Sequence, residues 1–193
     1  MHRSGVTHGR SFAWSDRLAQ ARAALAGLAV PLPVLAEAAA PMLARLESIA
    51  AAHPPDSSVP SHGAFRAAQV MVDEDRVGFI DFDGSCQSEP AMDLARFIAT
   101  TKDVGLHAAF DEDGEPPTDA RRVEVLLRLE AQCETFLSAY EALATVSRTR
   151  IALWETLNLF TLVMACWKKI KPDEIGNTVL MLDRCLERGV LER

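Results

Sequence analysis

Two stretches of the chain carry residue types suited to chemistry. SHGAFRAAQVMV, residues 61–72, places His62, Ala64 and Gln69 in one short segment, and VGFIDFDG, residues 77–84, ends an apolar run on Asp81 and Asp83. The second stretch resembles a metal-binding strand end, because carboxylate oxygens are the hard donors that Mg²⁺ and Ca²⁺ take. His62 is the one side chain of the first stretch that could be imagined as a base. Ala64 can neither accept a proton nor orient a hydroxyl. A third block, Glu89-Pro90-Ala91-Met92-Asp93-Leu94-Ala95, adds two more carboxylates shortly downstream.

These residues need elements to position them. QVMV and RVGFI are short runs rich in β-branched residues, separated by the polar turn Asp73-Glu74-Asp75, which is the pattern of a β-hairpin. After SCQSEP a helix is expected, with Pro90 suited to its first turn and Leu94, Phe97 and Ile98 on its buried side. Upstream, Trp14-Ser15-Asp16 starts a helix, with Ser15 as N-cap and Leu18, Ala21, Leu25 and Leu28 at helical spacing. A second helical region runs from Leu35 through Met42, Leu46 and Ile49 to a break at His53-Pro54-Pro55. Pro41 either kinks it or opens a new helix. No strand is expected up to that break.

Downstream of the chemical blocks, HAAFDEDGEPPTD reads as an acidic loop, and three more helices follow. The first, from about Asp119, puts Leu126, Leu129, Cys133, Phe136, Leu137 and Tyr140 on one stripe. The next, about Ile151 to Lys169, is apolar on most sides and therefore central, with Trp154, Phe160 and Trp167 read as core. The last spans roughly Asp173 to Arg188 and stops at Gly189, a natural C-cap.

The bulk numbers fit one globular domain: 193 residues, 49% hydrophobic and 24% charged. A formal net charge of −7 gives the long-range field the wrong sign for nucleic acid or an anionic membrane, so neither is an expected partner. Local basic spots, Arg148 with Arg150 and Lys168 with Lys169, read as solvated helix surface. Cys86, Cys133, Cys166 and Cys185 form no CxxC pair, so they read as reduced core residues, which fits a cytoplasmic protein. The N-terminus has no apolar signal region, and no stretch is apolar enough to suggest a membrane span.

Taken together, His62-Gly63-Ala64-Phe65-Arg66-Ala67-Ala68-Gln69, Ile80-Asp81-Phe82-Asp83 and Glu89 to Ala95 resemble the C-terminal lobe of the aminoglycoside phosphotransferase and choline kinase-like family. That family shows a His-Gly-Asp-x-x-x-x-Asn loop, an Ile-Asp-Trp/Phe strand end and an Asp-Pro-x-x-Asp-Leu-Ala helix start, in this order and at this spacing. The resemblance implies an α+β, mainly α fold: a kinase-like C-lobe, helical with a small β-hairpin at the catalytic loop. It further implies ATP and Mg²⁺ as cofactors and a hydroxylated small molecule as phosphoryl acceptor. By the same resemblance Asp81 is the principal metal carboxylate, Gln69 stands where the family has its metal-binding Asn, and Asp83 supports a second metal or faces solvent. Asp93 is the structural aspartate, capping its helix or holding the loop, and His62 buttresses the loop.

The chain departs from that pattern at Ala64, which takes the place of the base, and at Gln69, one methylene longer than Asn. General acid–base help is worth about 10² to 10⁴ in rate, so transfer by this chain alone is expected to be weak or lost. The residues before His62 read as helices, and the first lysine is Lys102. The family's N-terminal sheet lobe, with its phosphate-clamping lysine, is therefore expected to be absent. The expected organisation is a single domain over 1–193: a flexible 1–13, N-terminal helices over 14–60, the loop and hairpin block over 61–100, and a helical subdomain over 101–193. The alternative is a pseudokinase-like scaffold that binds a ligand or protein without catalysis. An apolar face left open where an N-lobe docks would favour self-association or an N-lobe partner. The acidic run Asp111, Glu112, Asp113 and Glu115 reads as a solvated loop, with attraction of a cationic substrate as the alternative.

Overall fold

The computed structural model describes residues 1–7, 9–112, 117–169 and 172–187. Six α-helices lie among them: α1 Trp14–Ala26, α2 Pro33–Ala52, α3 Pro90–Glu112, α4 Asp119–Glu141, α5 Arg148–Lys169 and α6 Pro172–Cys185. Five short strands complete the set: β1 Arg10–Ser11, β2 Val59–Ser61, β3 Val70–Asp73, β4 Arg76–Phe79 and β5 Cys86–Ser88.

Helix α5 is the axis of the molecule, as its all-round apolar sequence requires. Leu153, Leu157, Phe160 and Met164 pack against α1 and α2. Ile151 and Trp154 face Ala91, Leu94 and Ile98 of α3 together with Cys133 and Leu137 of α4. Leu159 and Val163 meet Leu126 and Leu129 of α4 and Met181 and Leu182 of α6. Trp167 differs from the expectation and is 42% exposed. It lies two turns beyond Phe160 on nearly the same face, past Met164, the last residue of that stripe in the core shared with α1 and α2. All four cysteines are buried and unbridged.

Several boundaries move for identifiable reasons. Helix α1 is capped at Ala13 rather than Ser15, because the Asp16 carboxylate reaches back to the Ala13 amide at 2.7 Å. Pro41 sits inside one continuous α2, and Pro33 occupies the first turn, where its missing N–H costs nothing. Helix α3 runs on through His107 to Glu112, so the expected loop starts later; Leu106 and Ala109, both buried, extend its apolar stripe. Gly105 allows the close approach of α3 to α4, since a Cβ there would lie 2.6 Å from Leu129. Gly189, Asp113 and Glu115 fall outside the described residues.

The hairpin is present: β3 and β4 pair in antiparallel register from Val70↔Phe79 to Asp73↔Arg76, with Glu74 turning the chain at φ 51°. A second sheet, of order β1-β5-β2, corrects the expectation that no strand precedes His53. Strand β1 runs parallel to β5 and β2 antiparallel to it. Runs of two and three residues are too short to show alternation, and each finds its partner far along the chain. The N-terminal segment is tied in as well: the Phe12 amide donates to Gln87 at 2.9 Å, and His2 contacts Tyr140 and Asp93.

Candidate active site

The three chemical blocks meet at one place, and backbone demands explain how. The loop leaves β2 at Ser61 and enters a 3₁₀ turn, Ala67–Gln69, which feeds directly into β3. After β4 the chain passes Ile80 and Asp81 into a second 3₁₀ turn, Phe82–Gly84, and then β5. The two turns interlock. Gly63 has φ 77°, and a Cβ there would lie 1.9 Å from the Gly84 carbonyl oxygen, so only glycine satisfies both the left-handed conformation and the contact.

Asp93, on the first turn of α3 and 2% exposed, holds this loop. Its Oδ2 accepts the His62 amide at 2.6 Å and its Oδ1 accepts the Gly63 amide at 2.9 Å. Charge-assisted bonds of this kind are roughly twice as strong as neutral ones. His62, also 2% exposed, spans to the other turn: its Nε2 donates to the Ile80 carbonyl at 2.9 Å, and its ring stacks on Phe82 at 4.8 Å. Its Nδ1 is buried without a hydrogen-bond partner, out of reach of a substrate proton.

Asp81 and Gln69 come together across the base of the hairpin, where the Gln69 Nε2 donates to Asp81 Oδ2 at 2.6 Å. Asp81 is exposed and adopts the left-handed conformation, φ 67° and ψ 57°, a strained state for a non-glycine residue that aims its carboxylate at Gln69. Gln69 is 2% exposed and its Oε1 is buried with no partner. The amide's oxygen and nitrogen exchange places by a simple flip. The pair thus supplies two hard oxygens, one of them orphaned, which fits Mg²⁺, an ion that takes one or two protein oxygens and draws the rest of its shell from water and phosphate. Asp83 is exposed in the second turn and makes no hydrogen bond or ion pair among the described residues. Ala64 is half-buried, its methyl 3.5 Å from where a Cβ on Gly84 would stand.

Behind β5 a network went unread in the sequence. Glu89, 5% exposed, receives Arg150 Nε at 2.8 Å, Arg150 Nη2, and Trp154 Nε1 at 2.6 Å. Arg150 is therefore 1% exposed rather than solvated surface, and its guanidinium also lies 5.1 Å over the Trp14 ring. Its signal was faint: an arginine on an otherwise apolar helix, with its acid sixty-one residues upstream. Arg148 does sit at the surface, paired with Glu134 and Glu141. Lys102 is committed to Glu155 at 2.6 Å in the interior; burial works to lower its pKa, but Glu155 together with Cys185 and Cys133 raises it overall. The Asp111 and Glu112 backbones close α3, and the rest of the acidic run lies outside the described residues.

A helical lobe built around α5, with a hairpin and a carboxylate-held loop at its edge, is the architecture of a kinase-like C-lobe. The profile of the phosphotransferase enzyme family, APH, matches residues 1–153, and the chain belongs to that family. Among solved structures, a choline/ethanolamine kinase family protein from Mesorhizobium loti is similar, with a TM-score of 0.58 and 16% identity. That alignment covers 100% of this chain and 59% of the other, so the chain spans well under two thirds of the length of its structural neighbour. At that identity the likeness establishes the fold. No curated protein matches the chain. Among the described residues, no helix is long and apolar enough to cross a membrane.

Proposed function

We propose that this chain carries the loop and metal-holding half of a small-molecule phosphotransferase site, and that phosphoryl transfer to a hydroxylated acceptor by this chain alone is weak or lost. The observation that carries the reading is the 2.6 Å contact between Gln69 and Asp81, with Asp81 held in a left-handed backbone. Asp81 and the Gln69 amide oxygen would hold Mg²⁺, which would offset the negative charge of the ATP phosphates. The rest falls to the chain's own groups. Asp93 fixes the amides of His62 and Gly63, His62 fixes the Ile80 carbonyl, and both set where residue 64 faces an acceptor. At that position Ala64 leaves the acceptor hydroxyl with no group to take its proton.

Calorimetric titration of MgCl₂ and ATP tests this reading. Binding heat in the natural chain that disappears in Asp81→Asn is expected; no heat and no thermal stabilisation, with an N-lobe supplied as well as without, overturns it. Ala64→Asp is expected to raise ATP-dependent transfer by about 10² to 10⁴.

A second reading, a binding scaffold without catalysis, draws on the hairpin. Val72, Val77 and Phe79, 43–70% exposed, share one face of the hairpin, an apolar face suited to an N-lobe or a second copy. Sedimentation equilibrium checks it, with association expected in the natural chain and lost in Val72→Ser/Val77→Ser.

A further inference from the structure

Beside the loop, bordered by Gly63 and Gly84, lies a cavity of about 170 Å³ whose lining includes Arg10, Arg17 and Arg96. We propose that these three arginines form a receptor for a phosphate-bearing small molecule, a site distinct from the Asp81–Gln69 pair.

Three guanidiniums from β1, α1 and α3 share this wall, and no ion pair to a carboxylate is found for any of them among the described residues. Arg17 is held by neutral acceptors alone: Nε donates to Asn158 at 3.1 Å, Nη1 to Gln20 at 3.2 Å and Nη2 to Thr161 at 2.7 Å. Such bonds orient a guanidinium without cancelling its charge. Arg96 has its Nε buried with no partner. Arg10 rests over the Phe12 ring at 5.9 Å. The acid that acts on Arg96 is Asp93, whose oxygens already accept the His62 and Gly63 amides and contact His2.

The fully buried cations of this protein are treated differently. Arg150 is matched by Glu89, and Lys102 by Glu155. Arg17 and Arg96 are half-buried and Arg10 is exposed, so each has lost part of its hydration with no carboxylate in return, and an anion from solution can supply what burial has removed. The strain registers on the arginines: burial, then the neighbouring Arg96, lowers Arg17 to about 10, and burial, then Arg66, lowers Arg96, with Asp93 opposing. Three cations suit the two charges of a phosphate monoester, and guanidinium forks match phosphate oxygens in pairs. Arg17 and Arg96 also border a second cavity, of about 320 Å³, with Thr100, Asn158, Thr161 and Leu162, where the body of a phosphate ester has mixed polar and apolar walls.

Thermal shift and calorimetry on the full chain with inorganic phosphate, without Mg²⁺ or nucleotide, test the receptor. Phosphate is expected to raise the Tm above that in sodium chloride of equal ionic strength. Arg17→Gln and Arg96→Gln are each expected to weaken phosphate binding about tenfold or more, because each removes charge-assisted bonds. The Tm of Arg96→Gln without phosphate should be unchanged or higher, since a repelled charge with an unpartnered Nε is gone, a result that a merely structural arginine would not give; Arg17→Gln gives up three hydrogen bonds and is read by its phosphate response. Arg10→Gln, on the surface strand, provides a variant that folds if either of those does not. Asp81→Asn should bind phosphate normally, which separates this site from the proposed metal pair. Displacement of phosphate by Mg-ATP identifies the nucleotide's own phosphates as the ligand source, and retention identifies a separate phosphorylated molecule. Equal stabilisation by sodium chloride, or an undiminished phosphate response in both Arg17→Gln and Arg96→Gln, overturns the proposal.

Discussion

On the α3 side of the loop, His62 and Gly63 are fixed by a buried carboxylate, and Glu89, Arg150 and Trp154 close a second buried network a few residues on. On the hairpin side, Asp81 is exposed, Gln69 keeps an orphaned oxygen, and β4 lies in solvent along its whole length. The same short segment thus has one face whose hydrogen-bonding capacity is used up and another left open. Frame and open groups are therefore separable: Asp93 bonds to peptide groups whatever stands at residue 64, while the open face depends on what comes to meet it.

The contrast can be broken most severely at Asp93. Asp93→Ala strands two loop amides that bond to a charged group, at about 1.5–3 kcal/mol each, so a loss of about 3–6 kcal/mol is expected in denaturant unfolding. A change below about 1 kcal/mol would mean that the loop is held elsewhere. Glu89→Ala comes next: leaving Arg150 unpaired in the interior should cost about 3–5 kcal/mol, and the double variant with Arg150→Met should recover part of it. The surface pair of Glu141 with Arg148 gives a reference. The Arg148 hydrogen bond holds the Glu141 carboxyl below its ordinary 4.5, so its contribution is present above that value and fades as pH falls through the lowered one. Glu141→Gln should cost about 0.2–1 kcal/mol at neutral pH, and less in acid. Smallest of all, Val72→Thr and Val77→Thr on the open hairpin should leave stability within about 0.5 kcal/mol. A larger loss there would mean that the hairpin face is not free.

Legibility in the sequence followed the length of each pattern. Helices α4 and α5 were readable because their stripes persist over six turns, and the hairpin because two β-branched runs flank a polar turn. Strands β1, β2 and β5 were not, since their pairing joins Arg10 to Cys86 and Val59 to Ser88 across tens of residues. In the candidate site, the order of the His62, Asp81 and Asp93 blocks pointed to one locality, but Arg10, Arg17 and Arg96 have no shared spacing. Only folding places α1 and α3 on either side of one cavity. Arg150 was misread for the same reason, as its acid lies sixty-one positions away.

The bonds from Asp93 to the backbone of residues 62 and 63 have a consequence for how such a chain changes over generations. Because the anchor grips peptide groups and not the side chain at 64, a codon there can drift between alanine and aspartate, a single-base step when the third base is a pyrimidine, without disturbing the architecture. The side chain at that position is free to change while the frame around it stays as it is.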